Sequence, residues 1–419
     1  MRCSILPKRS GLGCIAMTAD RALAMEFSLQ NLPDTFFVDP YPVYRALREH
    51  APVRRMPDGS VFLSRHADLL AVYRDTALFS SDKREEFRPK FGSSPLFDHH
   101  TNSLVFNDAP FHLRVRKILM GALSPSTVAS YENSIHALCE RLLDRIQRNG
   151  GGDAVNDYAA AIPVEVISNL LGVPVEDREP LRDWSLAILG ALEPVLTPEV
   201  ERLGNAAVTS FVDYLGDLVA ARRRSPGDPA SDILTRLILA DGVPLDAPAL
   251  LHNCIFLLNA GHETTTNLIA NGVELLARFP DERQRLRADP SLAAKAVEEV
   301  LRYESPNQLG NRRALADTSI AGTAIKAGDL ITLGIGAANR DEREFEDAEA
   351  FRIDRQPNRH LAFASGPHQC AGLGLARIEG RVALSSFMAR FPNYEIGEAS
   401  ARARRARFRG FDKLPLVIG

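Results

Sequence analysis

The chain has 419 residues, 45% hydrophobic and 25% charged, the proportions of an ordinary folded protein. Its 50 basic and 53 acidic residues leave a formal charge of −3, which excludes nucleic-acid binding driven by charge alone. No run approaches the roughly 18 uncharged apolar residues of a membrane span. The 5 cysteines contain no CxxC pair, which excludes a disulfide scaffold and the common zinc ribbons and fits a reducing, cytoplasmic setting.

Residues 1–25 carry Arg2, Lys8 and Arg9 ahead of a short apolar run from Leu12 to Met17. They read as a disordered extension, with ordered structure beginning near Asp39. Helical spacing covers 41–50, a hairpin turned at Asp58-Gly59 covers 53–64, and a helix covers 66–74. Pro, Gly, Asp and Asn crowd residues 80–107, which read as one long irregular loop. Helices then dominate: 110–122, 125–148, 157–171, 177–190, 198–224, 230–240, 246–279, 281–288, 290–303 and 372–391. Strand patterns are few and late, at 318–325, 330–335 and near Phe408 and Leu416. No break in composition separates two cores, so residues 26–419 are expected to form one domain, mainly α with small β-sheets.

The segment 246–279 is the longest predicted helix. Asp246 suits the N-cap and Pro248 the first turn. The run Leu250, Leu251, Cys254, Ile255, Phe256, Leu257 and Leu258 is apolar nearly all round, as in a buried helix. At its centre stands Ala260-Gly261-His262-Glu263-Thr264-Thr265-Thr266. Glycine in a helix interior costs about 1 kcal/mol relative to alanine, and a carboxylate beside a buried apolar run is expensive unless partnered. Local rules fail together at functional sites. Gly261 lets something large approach the backbone, and Glu263 with Thr264 offers a proton donor beside a hydroxyl. A solvated polar stripe would have the same spacing.

The second constellation runs from Phe363 through Gly366, His368, Cys370 and Gly372 to Arg377. Glycines and a proline hold Cys370 at a helix N-terminus, where backbone N–H groups favour thiolate over thiol. Cys139 and Cys254 sit in apolar helical contexts and read as core. A lone thiolate serves as nucleophile, zinc ligand or haem ligand. Zinc wants three or four ligands, a nucleophile wants a positioned base, and haem wants one axial ligand plus cations for two propionates.

This loop resembles the haem-binding signature of the cytochrome P450 superfamily. Phe363, Gly366, His368, Cys370 and Gly372 all match, followed by Leu375-Ala376-Arg377 as in bacterial members. Ala260 to Thr264 resembles the family's oxygen-activating helix motif. Glu299-x-x-Arg302 resembles its Glu-x-x-Arg pair. That pattern begins at six places here, Glu85, Glu179, Glu199, Glu282, Glu299 and Glu349. Alone it marks no more than an i,i+3 surface pair; order and spacing single out Glu299. The resemblance spans roughly residues 40–419.

The resemblance implies a soluble haem-thiolate monooxygenase, monomeric, with haem b (iron protoporphyrin IX) ligated by Cys370. His112, Arg116, Arg312 and His368 would meet the propionates, and Phe363, Gly366, Gly372, Ala260 and Gly261 would shape the cofactor site. Glu263 and Thr264 would supply protons for dioxygen activation, and Glu299 with Arg302 would be structural. Phe106, Phe256, Asn259, Gln308 and Leu309 would face a small hydrophobic organic substrate. Asn259 and Gln308, or Arg84, Arg88, Ser93 and Ser94, could hold a carboxylate or hydroxyl. Electrons would come from a ferredoxin and ferredoxin reductase docking near Arg114, Lys117, Arg377 and Arg381. Two departures stand out. Ala364 replaces a frequent glycine, which should crowd the loop slightly. Ala350 replaces the arginine that often joins Glu299 and Arg302, leaving Arg355 or His360 to take its place. The rival readings are a peroxide-driven peroxygenase and a haem protein that senses or carries a ligand without catalysis.

Overall fold

The computed structural model describes residues 12–229, 232–239 and 245–418. Its axis is the central helix Ala247–Arg278, unbroken through the Gly-His-Glu-Thr segment. Asp246 caps it, accepting from the Ala249 N–H at 2.8 Å. The fault expected at its centre is one of composition, not of backbone. Around it pack helices Ala161–Leu171, Leu181–Gly190, Pro198–Arg224, Ala293–Tyr303 and Leu373–Arg390. Their buried faces form one large apolar core. The helices 41–50 and 66–74 and the hairpin 53–63 stand as expected.

The sheets are small. One has five strands in the order Val53–Arg55, Val61–Leu63, Leu330–Gly334, Leu309–Ala314 and Phe79–Ser80. Another joins Gly152–Asp153, Pro415–Val417 and Glu395–Ile396. Strand Leu309–Ala314 carries no alternating apolar signal, and its pairing with Leu330–Gly334 is a tertiary choice.

Two sequence-based expectations are corrected. Residues 80–107 are not one loop but two short helices, Arg84–Phe91 and Pro95–Thr101, with a 3-10 turn at Leu104–Phe106. Phe87, Phe91, Leu96 and Phe97 bury against the main core and supply the order that the polar residues obscure. The amino-terminal segment is helical from Leu12 to Glu26, and Ala24, Phe27 and Leu29 join an apolar cluster with Tyr44 and Phe62. Residues 1–11 lie outside the described residues, as do the ends of the predicted helix 230–240, seen as Ile233–Leu239. Among the described residues no helix is long and apolar enough to cross a membrane.

Candidate cofactor cavity

The cysteine loop is built by three backbone hydrogen bonds. The N–H groups of Ala364, Gln369 and Cys370 donate to the carbonyls of Leu361, Gly366 and Phe363 at 2.8, 3.0 and 2.9 Å. Gly366 has φ +69°, and a β-carbon there would lie 2.5 Å from the Tyr73 carbonyl oxygen. Only glycine meets both demands. Ala364 is also left-handed, at φ +55°. The departure at this position therefore strains the backbone; it is not a matter of crowding. A left-handed alanine costs about 1–2 kcal/mol, part of which is offset by the freer unfolded chain of a glycine variant. Ala364→Gly is expected to raise stability by about 0.5–1 kcal/mol, read as the midpoint of urea unfolding. An unchanged or lower midpoint would contradict the strain.

Burial pushes the Cys370 thiol up, while the Gly372 N–H and the charges of Arg116 and Arg377 pull it down. Burial wins, so the loop supplies donors for a thiolate without creating one unaided. A coordinated metal ion deprotonates such a thiol outright. Cys139 and Cys254 are buried among apolar side chains, which pushes their thiols up to about 11 and about 12.

Cys370 lies on the wall of a cavity of about 350 Å³, to which the central helix contributes Phe256, Asn259, Ala260, Gly261 and Thr264. Phe106, Leu309, Phe363 and Gly372 line it too. The Thr264 hydroxyl donates to the Ala260 carbonyl at 2.8 Å. Glu263 does not line the cavity. Its carboxylate accepts from Arg405 at 2.8 Å and from Asn267 at 3.1 Å. Neighbours in sequence differ by about 100° around a helix, so the pair that reads as one site faces two ways. Gln308 also leaves the expected set. Its amide donates to the Ser305 carbonyl at 2.7 Å, and its oxygen packs against Gly336.

His112, Arg116, Arg312 and His368 do come together on the cavity wall. The two imidazoles stack with ring centroids 3.8 Å apart. Arg312 is buried, bonded to the Asn311 carbonyl at 2.8 Å and lying 5.2 Å over the Tyr73 ring. Among the described residues, the one carboxylate acting on this group is Asp108, 3.9 Å from His368. Burial disfavours the charged form of both imidazoles, so buried Arg312 and half-buried Arg116 stand against one carboxylate, and with the imidazoles they leave an excess of donors and positive charge. Such an excess is costly unless an anion arrives, and two propionates in bidentate reach would balance it. The donor set fits haem.

Glu299 and Arg302 are fully buried. Arg302 donates to both Glu299 oxygens at 2.7 and 2.8 Å and to the carbonyls of Asn339, Ala348 and Ala350. Arg355 supplies the missing third partner, its Nε 3.1 and 3.2 Å from the carboxylate, and Asn358 and the Arg352 N–H complete the shell. His360 bonds Glu298 instead, at 3.2 Å.

Arg84, Arg88, Ser93 and Ser94 lie off the cavity. Arg84 donates to Asp82 and Asn107, Arg88 donates to Ser93, and Ser94 is the N-cap of helix Pro95–Thr101, accepting from the Phe97 N–H. Of the expected docking cations, Arg377 and Arg381 are already held by Glu298 and Glu132. Sequence reasoning missed Lys83, His99, His100 and Arg407 on the cavity wall. Only the adjacent pair His99-His100 could have pointed there.

A cysteine and a threonine-bearing helix lining one cavity, with unbalanced cations alongside, define a haem-thiolate protein. Residues 49–396 match the cytochrome P450 family. A biotin biosynthesis cytochrome P450 of Bacillus subtilis (strain 168) is 34% identical over 94% of this chain and 100% of its own length. A vitamin D(3) 25-hydroxylase of Pseudonocardia autotrophica is 35% identical over 92% and 95%. The crystal structure of P450BioI in complex with acyl carrier protein ligated to hexadec-9Z-enoic acid superposes with a TM-score of 0.88 at 31% identity, covering 92% of this chain and 100% of that one. The chain belongs to the cytochrome P450 family and is a haem-containing monooxygenase.

Proposed function

We propose that this monooxygenase binds haem b through Cys370 and hydroxylates a small hydrophobic molecule, as a cytoplasmic monomer supplied with electrons by a ferredoxin and its reductase. The observation that carries this reading is the juxtaposition of Cys370, Thr264 and the unbalanced cations on one apolar cavity. Bound haem supplies dioxygen activation and insertion of one oxygen atom into a C–H bond.

The chain's own residues do the rest. His112, Arg116, Arg312 and His368 hold the propionates. Phe106, Phe256 and Leu309 exclude water and orient the substrate. The Thr264 hydroxyl, anchored on the Ala260 carbonyl, holds a proton at the cavity wall. Glu263 passes protons inward only after releasing Arg405, which reaches the surface. Two relatives support an apolar substrate: one acts on vitamin D(3), and the other was crystallised with a fatty acyl carrier protein. A threonine hydroxyl on the wall favours dioxygen chemistry over a ligand carrier.

The direct test is the absorbance of the reduced, carbon monoxide-bound protein, then product formation with a ferredoxin and reductase. Thr264→Ala is expected to keep the carbon monoxide spectrum and substrate binding. It should divert most reducing equivalents to hydrogen peroxide, measured as product formed per NADPH consumed. Unchanged coupling would remove Thr264 from proton delivery.

A further inference from the structure

We infer that the substrate carries an uncharged hydrogen-bonding group, a hydroxyl or amide, recognised by Asn259 with the His99–His100 pair. This rests on the reading of the cavity as a haem and substrate site, and names what that site selects.

Buried polar atoms are nearly always hydrogen-bonded. In this wall several are not, among them Oδ1 and Nδ2 of Asn259, Nδ1 of His99, and both ring nitrogens of His100. These three residues line the cavity, and their side chains are almost wholly buried. His100 is packed among Phe87, Phe91 and Phe106 at centroid distances of 5.4, 5.5 and 5.4 Å. Burial pushes the His100 imidazolium down to about 3 and that of His99 well below its ordinary value, so both rings are neutral.

The cations of the same wall are committed. Lys83 is held by Glu86 at 2.5 Å. Arg407 donates to the carbonyls of Leu192 and Leu309 and to Asn311 Oδ1, at 3.0, 2.7 and 2.5 Å. Glu193 is its counter-charge and accepts its backbone N–H. Arg116 and Arg312, with the imidazoles of His112 and His368, would meet the propionates. Among the described residues no cation is left for a substrate carboxylate, which would enter desolvated and unpaired. The unmet capacity is neutral, and in Asn259 it is donor and acceptor at once. A hydroxyl or amide answers both; a hydrocarbon answers neither.

The test titrates the haem-loaded protein at neutral pH with decan-1-ol and with decanoate, following binding heat and haem spin state. The alcohol is expected to bind about tenfold more tightly or better. Asn259→Leu should lose about tenfold in alcohol affinity, leave decanoate affinity unchanged, and raise the melting temperature because an unpaired buried amide is gone. His100→Phe should lower alcohol affinity in the same direction. Equal or tighter decanoate binding, no detectable alcohol binding, or an unchanged preference in both variants would overturn the inference. The reduced carbon monoxide spectrum separates the two failures. Without a thiolate-type band the monooxygenase reading falls; with the band present and no alcohol preference, only the selectivity does.

Discussion

Cys370→Ser is expected to abolish monooxygenation and remove the thiolate-type band of the reduced carbon monoxide complex. Among the described residues Cys370 is the thiol on the cavity wall, and no group of three or more His, Cys, Asp and Glu is placed to hold a metal ion. A serine hydroxyl is smaller, harder and far less acidic than a thiol. It keeps the loop's backbone bonds, since those run through the Phe363 carbonyl and the Cys370 N–H. The cations on the wall remain, so the variant should retain some haem by its propionates while losing the electron-donating ligand. The measurements are haem content, the carbon monoxide difference spectrum and product formation. An unaltered spectrum in a folded variant would end the haem-thiolate assignment.

Glu299→Gln is expected to destabilise the fold severely. Glu299 is fully buried and balances Arg302 and Arg355 while accepting from Asn358 and the Arg352 N–H. Removing one partner of a buried ion network costs about 3–5 kcal/mol, because it leaves charge without a partner. Folded proteins have only about 5–15 kcal/mol in total. The measurement is the urea midpoint, with Glu199→Gln as the control. Glu199 and Arg202 have the same i,i+3 spacing but both are 64% exposed, so water replaces what is lost. If the two variants unfold at the same midpoint, the buried network is not what holds this part of the fold.

These two substitutions also mark where local pattern was informative. The cysteine loop was legible because its glycines, proline and cysteine are tied to backbone conformations within ten or so residues of each other, and Gly366 shows one such tie. Glu299-x-x-Arg302 was not distinguishable by itself from the other copies of its pattern. Only the structure shows that Arg355, more than 50 residues along, closes its shell. The loop that proved to be two helices was misread because its polar residues outnumber the four buried aromatics and leucines that order it.

By itself the amino-acid sequence determined most of the long helices, the central helix cap at Asp246 and the cysteine loop. Each follows from helical period, capping chemistry or turn geometry over a short span of chain, or from motifs in a set order. Tertiary structure alone decided that Glu263 turns to Arg405 while Thr264 meets the cavity, that Gln308 leaves it, and that five strands from distant segments form one sheet. It also decided that Lys83 and Arg407 on the cavity wall are held by Glu86 and Glu193, while Arg116 and Arg312 keep an excess of positive charge. Charge balance in a buried space depends on which distant side chains pack together, and no local pattern encodes that packing.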